Sequence, residues 1–256
     1  MRRTRNTALV SNPQLAQELP AELRAAGNPA AARVLQGFFK TGPGQYGEGD
    51  VFLGIKVPVL RAIVKKHGVV VPEDVLPLLH SRIHEERAAA LFLWVHAFEE
   101  GDAATRKSIF KLYLANTKWI NNWDLVDLTA PQIVGESLNA DDSGLLDKLA
   151  GSKSLWERRI SVVATLTFIR QGQFEPCIRM CRTLLNDQHD LMHKACGWML
   201  REIGKRDRGT LVKFLEAHAQ EMPRTMLRYS LEHFPESERR RWMEAKRRFV
   251  KDTSKS

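Results

Sequence analysis

The stretch HEERAAALFLWVHAFEE, His84 to Glu100, decides the fold class. Its apolar residues Ala88, Leu91, Phe92, Val95 and Phe98 recur at intervals of three and four, the period of an α-helix that buries a face. The same period runs through LWERRISVVATLTFIRQG, Leu155 to Gly172, and HKACGWMLREIGKRD, His193 to Asp207, each read as helical. The alternation expected of half-buried strands is essentially absent. Prolines and glycines punctuate the chain at KTGPGQYGEGD (40–50), HGVVVPEDV (67–75), RQGQFEP (170–176) and EMPRTM (221–226). They leave room for helices of about 10 to 18 residues with brief connectors. The chain reads as all-α.

Arg87, Asp124, Arg159 and Ala195 take similar places ahead of an apolar stripe, at successive separations of 37, 35 and 36 residues by numbering. Tandem helix pairs repeat at roughly 34 to 47 residues. The expected architecture is therefore a HEAT-like or armadillo-type helical-repeat solenoid, with an irregular bundle as its rival. Stacked pairs generate a curved surface lined by the second helix of each pair, and here that concave face is expected to be basic. With no long linker, residues 1–256 are expected to form one domain, ending in a basic C-terminal helix and tail from about 235 to 256.

Composition narrows the functional classes. At 43% hydrophobic and 27% charged residues the chain has ample core material for unaided folding. No apolar run reaches the length of a membrane span, and the start MRRTRNTALVSNPQ lacks the apolar centre of a signal peptide, so a cytoplasmic protein with no membrane partner is expected. Cys177, Cys181 and Cys196 lack the spacing of a disulfide scaffold or zinc ribbon and are expected as reduced core residues. Lys and Arg number 39 against 30 Asp and Glu, a net charge of +9 that suits phosphate polyanions. The basic residues are spread over many segments and mixed with tryptophans, which points to nucleic acid rather than to a lipid-binding amphipathic anchor.

Several motifs have bland readings that prevail. Gly42-Pro-Gly-Gln-Tyr-Gly47 matches a nucleotide-binding glycine pattern in letters only, because it follows a helical segment instead of a strand; a loop is expected. His189 and His193 stand at metalloprotease spacing, but with Asp190 for the glutamate and no third ligand; His80 and His84 share the spacing with no acid between them. Capping or surface histidines are expected, with neither metal nor cofactor. The tail residues Arg239, Arg240, Arg241, Lys246, Arg247, Arg248, Lys251 and Lys255, with Trp242, Phe249 and Val250, make either a solvated amphipathic helix or a phosphate-contacting arm.

KWINNWDLVDLTAP, Lys118 to Pro131, resists such a reading. Asn121 or Asn122 can cap a helix, and the helix dipole then accounts for Asp124. Asp127 is different, because it lies at i+4 from Trp123, so carboxylate and indole share a face, and a carboxylate within LVDL needs a partner or a cleft. Trp156 with Arg158 and Arg159, and Trp198 with Arg201, offer matching company on the other helices of the repeat. Core tryptophans plus an Asp to Arg pair remain the alternative.

In that order FLGIKVPVLR (52–61), HEERAAAL, NNWDLVD (121–127), LWERRISVV (155–163) and KACGWMLREIGK (194–205) resemble the bacterial HEAT-like DNA alkylation repair family, alkylpurine DNA glycosylases of the AlkD type. The resemblance covers about Ala25 to Lys205. It implies an α-helical solenoid holding duplex DNA and hydrolysing the N-glycosidic bond of cationic N3- or N7-alkylated purines, without metal or cofactor; a monomer is expected. By the same resemblance Trp123 and Trp198 pack against the lesion's deoxyribose, Asp127 is the catalytic carboxylate, and Arg159 lies near a backbone phosphate. Arg201, Arg158 and Lys205 are further expected DNA contacts. Phe38 and Phe39 stand where the family often has tyrosine. A non-enzymatic DNA-binding or scaffold repeat is the alternative.

Overall fold

A computed structural model describes Leu9 and residues 11–141 and 144–253, with side chains described as far as residue 244. The chain is helical, and the extended pairing among the described residues is an isolated parallel bridge between Val51 and Ile83. Two compact units, Met1–Ser137 and Leu138–Ser256, each gather around one long helix.

In the first unit α1 (Leu15–Ala26), α2 (Pro29–Phe38), α3 (Val57–Lys66) and α4 (Leu76–Leu79) precede the central α5 (His84–Glu100), followed by α6 (Ala103–Ala115), α7 (Trp123–Asp127) and α8 (Ala130–Ile133). The HEER stretch has the period of a helix with one apolar face, but α5 is buried nearly all round, from His84 to Phe98 save His96. It packs against α1, α3, α4, α6, α7 and α8, so every face has a neighbour. At its middle Trp94 is fully buried and donates its indole N–H to the Pro72 carbonyl at 2.9 Å. The glycine-rich segment 40–50 is a loop, as expected. A glycine just beyond it matters for packing: Gly54 has φ +83°, and a Cβ would come within 2.2 Å of the Asn28 carbonyl oxygen, so only glycine lets the start of α2 approach.

The second unit comprises α9 (Gly144–Ala150), α10 (Leu155–Val163), α11 (Leu166–Arg170), α12 (Glu175–Thr183), α13 (Asp190–Gly204), α14 (Arg208–His218), α15 (Arg224–Ser230) and α16 (Glu236–Thr253). Here α13 is central and touches α10, α11, α12, α14 and α15. Gly197 permits its close approach to α15, because a Cβ would meet the Met226 carbonyl oxygen at 2.6 Å. Cys177, Cys181 and Cys196 are free and buried in this core. The helix expected without interruption from Leu155 breaks after Val163, where Thr165 turns its hydroxyl back to the Val162 carbonyl at 2.6 Å in place of a continued ladder. Of the tail residues, Arg239, Arg240, Arg241 and Trp242 lie on α16. The side chains of Lys246, Arg247, Arg248, Phe249, Val250 and Lys251, and all of Lys255, lie outside the described residues.

Candidate active site

The head of α5 places four consecutive charged side chains, His84, Glu85, Glu86 and Arg87, in the interior, all answered by groups outside the helix. Glu85 accepts the backbone N–H groups of Leu53, Gly54 and Ile55 at 2.9, 2.8 and 3.2 Å, fixing the loop that enters α3. Glu86 pairs with Arg24 of α1 at 3.1 Å. Arg87 reaches Asp50 at 2.7 Å and donates to the Ser81 carbonyl. His84 sits between two carboxylates, Asp124 at 2.8 Å from Nε2 and Asp50 at 3.5 Å from Nδ1. Burial alone would push its imidazole down, but Asp124 and then Asp50 outweigh that and raise it to about 9. Burial likewise pushes the Asp50 carboxyl up, and His84 and Arg87 reverse this to hold it below the usual range.

Asp124 belongs to α7, the helix of the tryptophan and aspartate cluster. Asn122 is its N-cap, its side-chain oxygen accepting the Trp123 N–H at 2.8 Å. The helix ends after five residues, because Thr129 donates its hydroxyl to the Leu125 carbonyl and Pro131 opens α8. Trp123 and Asp127 occupy its first and last positions, one turn apart and both partly exposed. Trp123 stacks on Phe39 at 5.2 Å between ring centres, with Phe38 edge-on at 5.9 Å. Phe39 in turn stacks on Phe52, and both rings lie against His84. Asp127 lies near Tyr113, whose phenol is pushed up by burial and further by that carboxylate. Beside this cluster a cavity of about 440 Å³ lies between α2, α3, α5 and α7, walled by Phe38, Phe39, Phe52 and Leu128 with His84 and Asp124. Val34 and Phe38, 70% and 60% exposed, stand at its edge.

The remaining expected site residues lie in the second unit. Trp198 and Arg201 on α13, and Lys205 at its C-terminal cap, gather around Glu202. Glu202 accepts the Trp198 indole N–H at 3.2 Å and the Lys205 ammonium at 2.6 Å, with Arg206 at 3.7 Å. Arg201 also pairs with Glu232 beyond α15. Arg158 is held by Asp187 at 2.6 Å and by the carbonyls of Ser152 and Lys153 at 3.0 Å. Arg159 is 4% exposed and donates to the Leu191 carbonyl at 2.5 Å, and Trp156 is core. His189 caps α13, and His193 bonds the Asp187 carbonyl oxygen at 2.5 Å.

His84, expected as a capping or surface histidine, is instead buried at 3% exposure between two carboxylates, and local spacing assigns no role to Asp50, Glu85 or Glu202. For His84 and Glu85 a signal was available, since four charged residues directly ahead of a buried apolar run demand partners.

The chain matches the model of a known family over most of its length. The description "DNA alkylation repair enzyme" matches residues 19–234. The chain belongs to that family. No curated protein matches it. Among solved structures, the chain is similar to a predicted DNA alkylation repair enzyme from Enterococcus faecalis, 15% identical, with a TM-score of 0.62 over 82% of this chain and 97% of that one. At that identity the likeness establishes the helical-repeat fold. Membership in the DNA alkylation repair enzyme family supports a role in DNA repair with DNA as substrate. None of its described helices is long and apolar enough to cross a membrane.

Proposed function

We propose that the protein is a glycosylase that hydrolyses the N-glycosidic bond of cationic N3- or N7-alkylated purines in duplex DNA. One observation carries the reading: Trp123 and Asp127 stand one turn apart on a capped helix, both partly exposed, in a protein of net charge +9. An alkylated purine already bears a positive charge, so the glycosidic electron pair departs with it and the base leaves neutral, with no proton donor required. Positive charge then develops on the deoxyribose. An indole face and a carboxylate stabilise such a cation, and the surrounding Lys and Arg hold the phosphates. Asp127 accepts the proton of the attacking water, whose oxygen forms the new bond to the sugar carbon.

In this reading Asp127 and Trp123 act on the sugar, and surface Lys and Arg side chains serve the DNA backbone. The internal pairing of Arg158 with Asp187 and of Arg201 with Glu232 favours the alternative, a helical-repeat binder or scaffold without excision. Duplex DNA containing 7-methylguanine separates the two. Asp127→Asn is expected to abolish release of the free base while leaving duplex affinity within about twofold, a loss confined to the transition state. Absence of base release by the wild-type protein would overturn the reading, and efficient release of uracil, a neutral lesion, would contradict its chemistry.

A further inference from the structure

Helix α7 is too short to hold its own conformation, since a single turn fixes more torsions than its hydrogen bonds repay. Its orientation must come from outside, and Asp124 supplies the attachment. One carboxylate oxygen accepts the Leu125 N–H at 2.9 Å, and the other receives the His84 imidazole at 2.8 Å. Asp124 is adjacent to Trp123 in sequence and three residues before Asp127, so whatever fixes it fixes both.

His84 is itself rigidly placed. Its backbone N–H donates to the Val51 carbonyl at 2.8 Å, its ring is covered by Phe52 at 4.5 Å and Phe39 at 5.2 Å, and its second nitrogen faces Asp50, which Arg87 holds from α5. The result is a chain from guanidinium to carboxylate to imidazolium to carboxylate, running from α5 through the loop before α3 into α7. We propose that His84 is a positioning residue: gripped between Asp50 and Asp124, it sets the orientation of α7 and with it the presentation of Trp123 and Asp127.

The charged groups facing His84 are Asp50 from the loop, Asp124 from α7 and Arg87 from its own helix. Glu85 and Glu86 are engaged elsewhere, with the backbone of Leu53 to Ile55 and with Arg24. Two carboxylates against one guanidinium keep the imidazole protonated at neutral pH, and it gives up its proton near pH 9. Above that pH the charged link to Asp124 is lost while the aromatic packing remains. The activity arm of the test rests on the glycosylase reading; the spectroscopic arm does not.

The test uses the full chain. The indole N–H resonance of Trp123, assigned by its loss in Trp123→Phe, is followed from neutral pH to about pH 10 in nitrogen-labelled protein. In the wild type it is expected to move with a midpoint near pH 9; in His84→Gln that transition is expected to vanish, with the resonance displaced already at neutral pH. His84→Gln should also lower kcat for 7-methylguanine release about 10- to 100-fold with KM for DNA nearly unchanged, as misplacement of catalytic groups does. A Trp123 resonance in His84→Gln that coincides with the wild type, or an unchanged kcat, would overturn the proposal. If the wild type releases no base, the glycosylase reading fails and the indole resonance alone decides the role of His84. If His84→Gln does not fold, the wild-type titration decides, and the absence of a transition near pH 9 counts against the proposal.

Discussion

Glu85 and Asp124 illustrate what a single carboxylate can settle. Glu85 collects three backbone N–H groups from one loop, so its removal leaves three buried donors without an acceptor. Glu85→Ala is expected to destabilise the protein by about 3 kcal/mol or more in urea unfolding, while Glu85→Gln, which keeps one acceptor oxygen, should lose less. Asp124 shows the limit of reading residues by spacing. A cap at Asn121 or Asn122 is legible because capping is local, and the helix dipole suffices for the neighbouring aspartate. Its actual partner, His84, is 40 residues away in the chain. Pairing across the fold leaves no mark in local spacing, and so the polar hub behind Trp123 stayed hidden while Trp123 and Asp127 themselves stood out.

At the scale of elements the helical period was the reliable signal, and it located the stretches that became α5, α10 and α13. What it could not show is how many faces a helix buries. The α5 sequence reads as one stripe because its small alanines are indifferent to side, yet they are buried as fully as its leucines. Breaks were also illegible where they depend on a hydroxyl, as at Thr165 and Thr129, since threonine fits helices and ends them with equal ease. Helix packing yields a paired prediction. Gly197→Ala pushes a methyl into the Met226 backbone and should cost about 1 to 3 kcal/mol of stability, seen as a lower Tm. Gly37→Ala, on α2 with nothing within 4 Å, should instead stabilise by about 0.5 to 1 kcal/mol.

At the scale of the whole molecule, charge was read correctly as a property and only partly as a location. Several of the 39 basic residues are held by internal carboxylates, among them Arg87, Arg158 and Arg201. If those that remain hold duplex DNA, log affinity should fall linearly with log salt concentration, with a slope that reports the number of phosphates engaged. A flat salt response would leave the net charge without a binding role. Stability should depend on pH through His84. Its folded value of about 9 lies above the ordinary 6.5, so its contribution is complete below about pH 6.5 and is lost as pH rises through 9. The urea midpoint of the wild type is expected to fall across that window, by the equivalent of a few kcal/mol, and His84→Gln should flatten the fall.

The three cysteines have a consequence beyond packing. Agents that alkylate purines are electrophiles, and a thiolate is the softest nucleophile most proteins can offer them. Here Cys177 and Cys181 are fully enclosed and Cys196 is 1% exposed, so reagents cannot reach them, and the Cys181 thiol is pushed up further by its two sulfur neighbours and by burial. The folded chain should resist iodoacetamide and methylating agents that modify it readily once unfolded, as mass spectrometry would record. On the proposed glycosylase reading, a core so enclosed would stay intact in the chemical conditions that create the substrate.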